Sequence, residues 1–360
     1  MGLGAAARTL HRRALDPREH GPLLACTRAA LGAASVPYAL AVAARNRVYD
    51  AGRKAIHRAP VPVISIGNIT AGGTGKTPMA AALARLLVER GRRPAILSRG
   101  YGHDPQSGMD DENRMLARLA PGAAVIVNPD RAAGAARAVA AAGADVLILD
   151  DGFQHRRLAR DLDLVLIDAL DPFGGGHLLP RGLLREPLKG LARADLTVIT
   201  RSDLVPAERI EEIRARLAQH SNAPVALAEH RPAALLRVCG AGREESMPLS
   251  ALSEGRWGAV CGIGNPEGFK GTLERLGARV DLVRAYPDHH RYREGEMASL
   301  LAEAAARGLQ GVLTTEKDAD KIAAALPPHG PQTPVLALSV RIEITEGLDA
   351  LERLLGERLG

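Results

Sequence analysis

A glycine-rich stretch ending in Lys-Thr is the strongest indication of chemistry in this chain. Residues 65–78 read SIGNITAGGTGKTP, an apolar run leading into glycines, with an Ala- and Leu-rich segment behind. Glycines let backbone amides face phosphate oxygens, a lysine neutralises the β- and γ-phosphates, and a threonine hydroxyl binds Mg²⁺. We expect positive φ angles at Gly72 and Gly73. The predicted nucleoside triphosphate loop comprises Thr70, Ala71, Gly72, Gly73, Thr74, Gly75, Lys76 and Thr77, with Thr70 where such loops usually begin with glycine.

Two adjacent aspartates form the expected acidic partner of this loop. The stretch ADVLILDDGFQH is an apolar strand that ends in Asp150 and Asp151. One carboxylate would hold Mg²⁺, directly or through water, and the other would orient water or substrate. Together with Thr77 they are the predicted metal ligands, and their order is left open. A loop and an acidic strand end in this relation predict a protein that binds a nucleoside triphosphate.

Short apolar runs that alternate with helical segments must position these residues. Predicted strands cover 61–66, 94–98, 123–127, 144–150, 162–168 and 194–200, and then 257–264, 279–286, 311–315 and 334–340. Continuous apolar strands between helices predict an α/β fold with a parallel sheet covered on both faces. We expect a P-loop NTPase domain at 56–230 and a smaller C-terminal α/β domain at 231–360, connected by the Pro-containing region 230–248.

Composition and charge narrow the classes of partner. The chain has 360 residues, a formal net charge of +6, 2% aromatic residues and three cysteines. The charge predicts an anionic partner, whereas the few aromatic residues argue against nucleic acid, since stacking platforms would be scarce. The cysteines are odd in number and far apart, so neither a disulfide framework nor a zinc site is predicted.

An uncharged run near the N-terminus has two open interpretations. Residues 29–44 carry no charge, are flanked by basic residues and contain Pro37. The run is shorter than the roughly 20 residues that span a bilayer. It is therefore either a core-packing helix or a helix that lies on an anionic membrane surface. The predicted first segment of the chain is 1–55.

Three further stretches suggest rival functions. VITRSD (198–203) and TTEKDADK (314–321) partly resemble the guanine-reading motif of GTPases, but both lack its asparagine. GIGNPEG (262–268) is a weak dinucleotide motif, for which a tight strand-to-helix turn is the simpler explanation. The alternatives are a P-loop GTPase or metallochaperone, and a membrane-recruited ATPase switch. Switches of that type carry a signature lysine where this chain has Ala71, which counts against them.

A set of short motifs, in order, resembles the tetraacyldisaccharide 4'-kinase family of lipid A biosynthesis. The motifs are GNITAGGTGKTP (67–78), SRGYG (98–102), LDDGFQH (149–155), LREP (184–187), PDHHRY (287–292) and TEKDA (315–319). The resemblance covers about residues 20–345. It implies transfer of the γ-phosphoryl of ATP, with Mg²⁺, to the 4'-hydroxyl of a tetraacylated glucosamine disaccharide 1-phosphate. It also implies a peripheral protein on the cytoplasmic face of the inner membrane, with residues 22–49 at the interface and the C-terminal domain closing over the active site.

The resemblance also assigns roles to individual residues. Asp111 is implied as the base, assisted by His289, with Asp110 and His290 as the neighbouring alternatives; Lys76 completes the catalytic group. Two departures bear on the base: Asn113 stands where the family usually has proline, and the 102–111 segment is short. The implied substrate residues are Glu112, Arg131, Gln154, His155, Arg185 and Glu186. Glu186 is also a candidate for the metal shell.

Overall fold

The computed structural model describes residues 10–11, 13–15, 18–100, 111–239, 242–287, 290–327 and 331–360, with the backbone alone at 111–112 and 242–245. The chain forms two compact units, residues 1–229 with 342–360, and residues 230–341. The expected change of domain near residue 230 falls at the boundary between them. The sequence analysis placed residues 342–360 in the C-terminal domain. In the structure they belong to the first unit.

Strands and helices alternate through most of the chain. The strands are β1 (Val63–Asn68), β2 (Pro94–Ser98), β3 (Ala124–Val127), β4 (Val146–Asp150), β5 (Leu162–Asp168), β6 (Leu196–Thr200), β7 (Val225–Cys239), β8 (Gly242–Met247), β9 (Arg256–Cys261), β10 (Arg279–Ala285), β11 (Gly311–Thr315) and β12 (Val335–Glu346). The helices are α1 (Pro22–Asp50), α2 (Lys76–Glu89), α3 (Asp111–Leu119), α4 (Arg131–Ala142), α5 (Ala207–Ala218), α6 (Pro266–Arg275), α7 (Glu294–Ala306), α8 (Glu316–Ala323) and α9 (Leu348–Leu359).

The first unit is built on a parallel sheet with the strand order β7-β6-β5-β1-β4-β2-β3. The order reverses at β1, since β4 and β5 lie on its two sides. In open parallel sheets, ligands bind at such a point, outside the carboxyl ends of the strands. The loop after β1, Asp150 at the end of β4 and Asp151 directly after it all lie at this point.

Apolar side chains cover both faces of this sheet, as the continuous apolar strands predicted. Alternate residues of β4 separate cleanly: Val146 and Ile148 pack in a cluster with α2 and α9, whereas Leu147 and Leu149 pack with α4. The last helix joins the first unit because α9 packs its apolar residues into the α2 cluster. The predicted P-loop architecture with helices on both faces is confirmed.

The second unit has its own core. Strands β10, β9, β11 and β12 run parallel in that order, with separate apolar clusters that include Leu300 and Leu313. The sequence assigned 230–248 to a connection, and this prediction is wrong. The chain instead continues as β7 through residue 239 and pairs antiparallel with β8, because Leu235 and Val238 are apolar enough to be buried.

Helix α1 is longer than the uncharged run that suggested it. It extends over 29 residues and continues through Pro37. Among the described residues, it is the helix whose length and composition would allow a membrane crossing. Its side chains Leu23, Val36 and Leu40 are 66%, 57% and 65% exposed, so much of the helix presents apolar surface that the protein itself does not cover.

Candidate active site

Two glycines with positive φ angles shape the phosphate loop. Gly72 and Gly75 have φ angles of 129° and 88°, and Gly75 caps α2 in the left-handed region. Positive φ was expected at Gly72 and Gly73. The structure confirms Gly72 and moves the second position to Gly75, where the chain turns into the helix. Lys76 and Thr77 therefore open α2, and the unpaired amides of a helix N-terminus favour phosphate.

Side chains from neighbouring strands hold the loop. Asn68 Nδ2 donates to Thr74 Oγ1 at 3.0 Å, and Thr200 Oγ1 donates to the Thr74 carbonyl at 3.0 Å. The Arg201 guanidinium donates to the Gly73 carbonyl at 2.6 Å and pairs with Asp168. Residues 198–203 partly resemble a guanine-reading motif in sequence. In the structure, Thr200 and Arg201 of this stretch instead support the phosphate loop.

Asp151 lies between two cationic side chains. Its oxygens accept from Arg185 Nη1 at 2.8 and 2.9 Å, and one oxygen lies 3.6 Å from Lys76 Nζ. Asp151 also has a φ angle of 52°, which is uncommon for a residue with a Cβ. Backbone strain of this kind is frequent at active sites. The Asp151 carboxylate thus bridges the loop lysine and Arg185.

Asp150 ends β4 at the same place. It is 7% exposed, and its carbonyl accepts from Arg131 Nη2 at 3.2 Å. Arg131 opens α4 directly after Asp130, whose carboxylate caps the helix by accepting from two backbone amides. The stretch NPDR therefore has a structural role that the sequence did not predict: Asp130 starts the helix and Arg131 reaches the strand end beside the loop.

Glu186 is a buried support. It is 2% exposed and accepts from Arg193 Nη2 and Gln154 Nε2, each at 2.8 Å. Gln154 also donates to the Asn68 carbonyl at 2.7 Å. Gln154 therefore joins the loop after β4 to the end of β1, and the Glu186 carboxylate holds Gln154 in place. Its suggested place in a metal shell stays a prediction, and Arg193, which neutralises it, was not among the predicted residues.

A cavity of about 600 Å³ opens beside this network. One wall belongs to α1 and the other to the loops after β2, β3 and β4 and to residues 179–186. The cavity brings together most of the substrate residues that the sequence suggested, and it adds five from α1, including Asn46. Its lining includes Tyr38, Ala41, Val42, Arg45, Arg131, Asp151, Gln154, His155, Arg185 and Glu186.

His155 is the cavity residue with the most altered proton affinity. Burial, followed by the charges of Arg131 and Arg160, lowers the pKa of His155 to about 4. The imidazole is therefore neutral at pH 7, so the positive charge of the cavity comes from its arginines. A neutral ring can still donate one hydrogen bond and accept another.

The proposed base and its partner are only partly described. Asp110 and His289 lie outside the described residues, and Asp111 and Glu112 are placed as the backbone of the first turn of α3. The alternative His290 is held within the second unit, where its Nε2 lies 3.0 Å from Glu296 and its ring stacks on Tyr286.

The TEKDA stretch has a structural function in the second unit. Asp318 is fully buried, accepts from the Gly262 amide at 2.9 Å and from Thr315 Oγ1 at 2.8 Å, and so ties β9 to the start of α8. These contacts explain the motif without a nucleotide base. The GIGNPEG turn, in which Asn265 caps α6, is likewise a strand-to-helix turn.

The depressed pKa predicts a pH dependence. Unfolded His155 would titrate near 6.5 and the folded residue near 4, so the unfolded chain binds more protons between these values. This residue's contribution to stability is thus lost as the pH falls from 6.5 towards 4. We expect an NMR titration midpoint near 4 for His155, and His155→Gln should flatten this part of the stability curve. A midpoint at 6 or above would contradict the burial argument.

Comparison with known proteins shows which family this chain resembles. The family model for tetraacyldisaccharide-1-P 4'-kinase (LpxK) matches residues 27–359. A tetraacyldisaccharide 4'-kinase of Anaeromyxobacter dehalogenans (strain 2CP-C) is 46% identical over 350 residues, which cover 93% of this chain and 92% of the relative. Another, from Syntrophus aciditrophicus (strain SB), is 40% identical and covers 80% of this chain and 83% of its own length.

A solved structure is also similar over nearly the whole chain. The crystal structure of LpxK from Aquifex aeolicus in complex with ATP has 31% identity and a TM-score of 0.75, covering 93% of this chain and all of that one. The GTPase, metallochaperone and ATPase-switch alternatives are not favoured by these matches. The chain belongs to the tetraacyldisaccharide 4'-kinase family, whose members are ATP-dependent kinases of lipid A biosynthesis.

Proposed function

We propose that the phosphate loop and the cavity beside it form the site where ATP phosphorylates the 4'-hydroxyl of a tetraacylated glucosamine disaccharide 1-phosphate. The observation that carries this proposal is the cavity's position. One side of the cavity is lined by Asp151 and Arg185, which also belong to the loop network. The other side is lined by Tyr38 and Val42 of the apolar helix α1. A lipid-linked sugar phosphate needs that combination of charge and apolar surface.

The loop residues account for nucleotide binding. Amides at the start of α2 and Lys76 would neutralise the triphosphate, since phosphoryl transfer depends on positioning and charge stabilisation. Thr77, Asp150 and Asp151 offer hydroxyl and carboxylate oxygens, which are the donors that Mg²⁺ prefers. Bound there, Mg²⁺ would supply charge neutralisation at the β- and γ-phosphates. Asp151 would then share its charge between the metal and its present partners, Lys76 and Arg185.

Arginines of the cavity would bind the anionic end of the lipid substrate. Arg131, Arg185 and the newly found Arg45 carry permanent charge, and arginine matches phosphate through its two parallel donors. His155 and Gln154 would add uncharged hydrogen bonds to the sugar. Glu186 would act indirectly, by holding Gln154. Glu112 keeps its suggested substrate role as the neighbour of the proposed base.

Asp111 is the proposed general base, with His289 as its partner. Asp111 would take the proton of the 4'-hydroxyl while that oxygen attacks the γ-phosphorus and ADP departs with the bridging oxygen. His289 would hold or pass on the proton. This assignment requires the unit of residues 230–341 to bring His289 to the phosphate loop in the catalytic state, as a domain that closes over the site.

The enzyme would work at the cytoplasmic face of the inner membrane. Family membership makes this a membrane-associated enzyme that acts on a lipid disaccharide phosphate. The exposed apolar side chains of α1 and the net charge of +6 suit a helix lying at an anionic lipid surface. ATP is supplied from the cytoplasm, which sets the side. Nucleic acid is not a proposed partner, because the chain has only 2% aromatic residues.

The direct test of the reaction is transfer of labelled γ-phosphate from ATP to a tetraacyl disaccharide 1-phosphate in detergent micelles. Asp111→Ala should lower turnover by about 10²-fold or more, since it removes the base, while ATP binding persists. Asp349→Ala is a matched control, because Asp349 is also an acid in the first turn of a helix. Full activity of Asp111→Ala, with loss in Asp110→Ala, would move the role to Asp110; no labelled lipid with the unchanged protein would refute the function.

Membrane binding through α1 predicts a selective effect of charge on its outer surface. Leu40→Glu should weaken partition onto vesicles that contain anionic lipid by about tenfold or more, since it removes apolar burial and adds repulsion. Leu204→Glu is the control, because Leu204 is similarly exposed at 48% but lies far along the chain, after β6. Equal partition of the two variants would argue against α1 as the membrane-binding surface.

A further inference from the structure

Helix α1 makes polar contacts with the nucleotide side of the site as well as lining the cavity. Tyr38 OH donates to the carbonyl oxygen of Arg185 at 2.8 Å. Burial raises the pKa of Tyr38, so its hydroxyl stays protonated and available as a donor. Ser35, three residues earlier on the same side of α1, donates to the Leu178 carbonyl at 3.1 Å and accepts from the Arg181 amide at 3.2 Å. Through these hydrogen bonds, α1 holds the segment of residues 178–185.

That segment lies directly against the start of the phosphate loop. The Arg185 amide donates to the Ile69 carbonyl at 2.7 Å, and the Ala71 amide donates to the Leu183 carbonyl at 2.6 Å. Between them, Thr70 and Leu184 form an antiparallel bridge. The backbone of 183–185 therefore acts as a short strand that fixes residues 69–71, and any displacement of one is passed to the other.

The Arg185 side chain extends the same connection to the lysine of the loop. Its guanidinium holds both oxygens of Asp151, and Asp151 lies 3.6 Å from Lys76 Nζ. The contacts run without a gap from Tyr38 through Arg185 and Asp151 to Lys76. One backbone carbonyl, that of Arg185, is the point where the helix contacts this chain of interactions.

We infer that Tyr38 is a positioning residue for ATP: through the Arg185 carbonyl it holds Arg185 and Asp151 in register with Lys76, so that the membrane-facing helix is also part of the nucleotide-site scaffold. The inference rests on the proposed function in so far as ATP binds at Lys76. Tyr38 would act indirectly, through the Arg185 carbonyl that its hydroxyl contacts. Its hydroxyl faces the protein on the same helix that presents Leu40 to the outside.

The test compares two tyrosine hydroxyls on one helix. Tyr38→Phe removes the hydrogen bond to the Arg185 carbonyl. Tyr49→Phe also removes one tyrosine hydroxyl, but at the C-terminal end of α1, where the Tyr49 ring packs against the Arg156 guanidinium. We expect the dissociation constant of ATP, measured with Mg²⁺ and without lipid, to rise about fivefold in Tyr38→Phe and to stay unchanged in Tyr49→Phe, a factor typical of one lost hydrogen bond.

Two further measurements distinguish a positioning role of Tyr38 from a general loss of stability or of membrane binding. Partition of Tyr38→Phe onto anionic vesicles and its melting temperature should match those of Tyr49→Phe. An unchanged ATP dissociation constant in Tyr38→Phe would overturn the inference, as would a loss of ATP affinity that accompanies an equal loss in Tyr49→Phe. Because this measurement uses no lipid, its failure is distinguishable from failure of the lipid kinase assay, which tests the proposed function itself.

Discussion

The placement of Asp151 between Arg185 and Lys76 is the constraint on which the site depends. A carboxylate that touches two cations fixes both, because each charged partner is favourable only while the others stay in place. The strained backbone of Asp151 positions this carboxylate after β4, and β4 lies beside β1, which carries the loop. The order of strands thus brings two distant stretches of sequence together in one charge cluster.

The second organising feature is that α1 has one side that contacts the protein and another that is exposed. One side of α1 makes hydrogen bonds to the rest of the first unit. They run from Ser35 to the Leu178 carbonyl, from Tyr38 to the Arg185 carbonyl and from Arg45 to the Gln154 carbonyl. Val36 and Leu40 on the same helix are exposed. If α1 lies on the membrane surface as proposed, a lipid substrate would reach the cavity from that same helix. On that proposal, the apolar helix before the first strand would combine membrane contact with support of the cavity.

Local patterns predicted much of the fold and most of the loop. Continuous apolar runs located the strands, and the glycines with Lys76 and Thr77 located the loop that opens α2, because both depend on neighbours in sequence. The errors concern contacts over long separations. Residues 342–360 join the first unit through packing of α9, and Tyr38, Arg193 and Arg201 act on partners that periodicity does not reveal. A smaller, local difference is that Gly75 rather than Gly73 has a positive φ angle. A lone tyrosine in an uncharged run was the available signal for Tyr38.

The most direct measurement of the central claim is a double-mutant cycle for ATP binding at Asp151 and Arg185. The dissociation constant of Mg-ATP would be measured for Asp151→Asn, for Arg185→Gln and for the double variant. If the pair acts as one unit, the double variant should differ by about threefold or more from the product of the two single effects. Effects that multiply to within about twofold would show that Asp151 and Arg185 act independently, and would contradict a charge cluster that organises the nucleotide site.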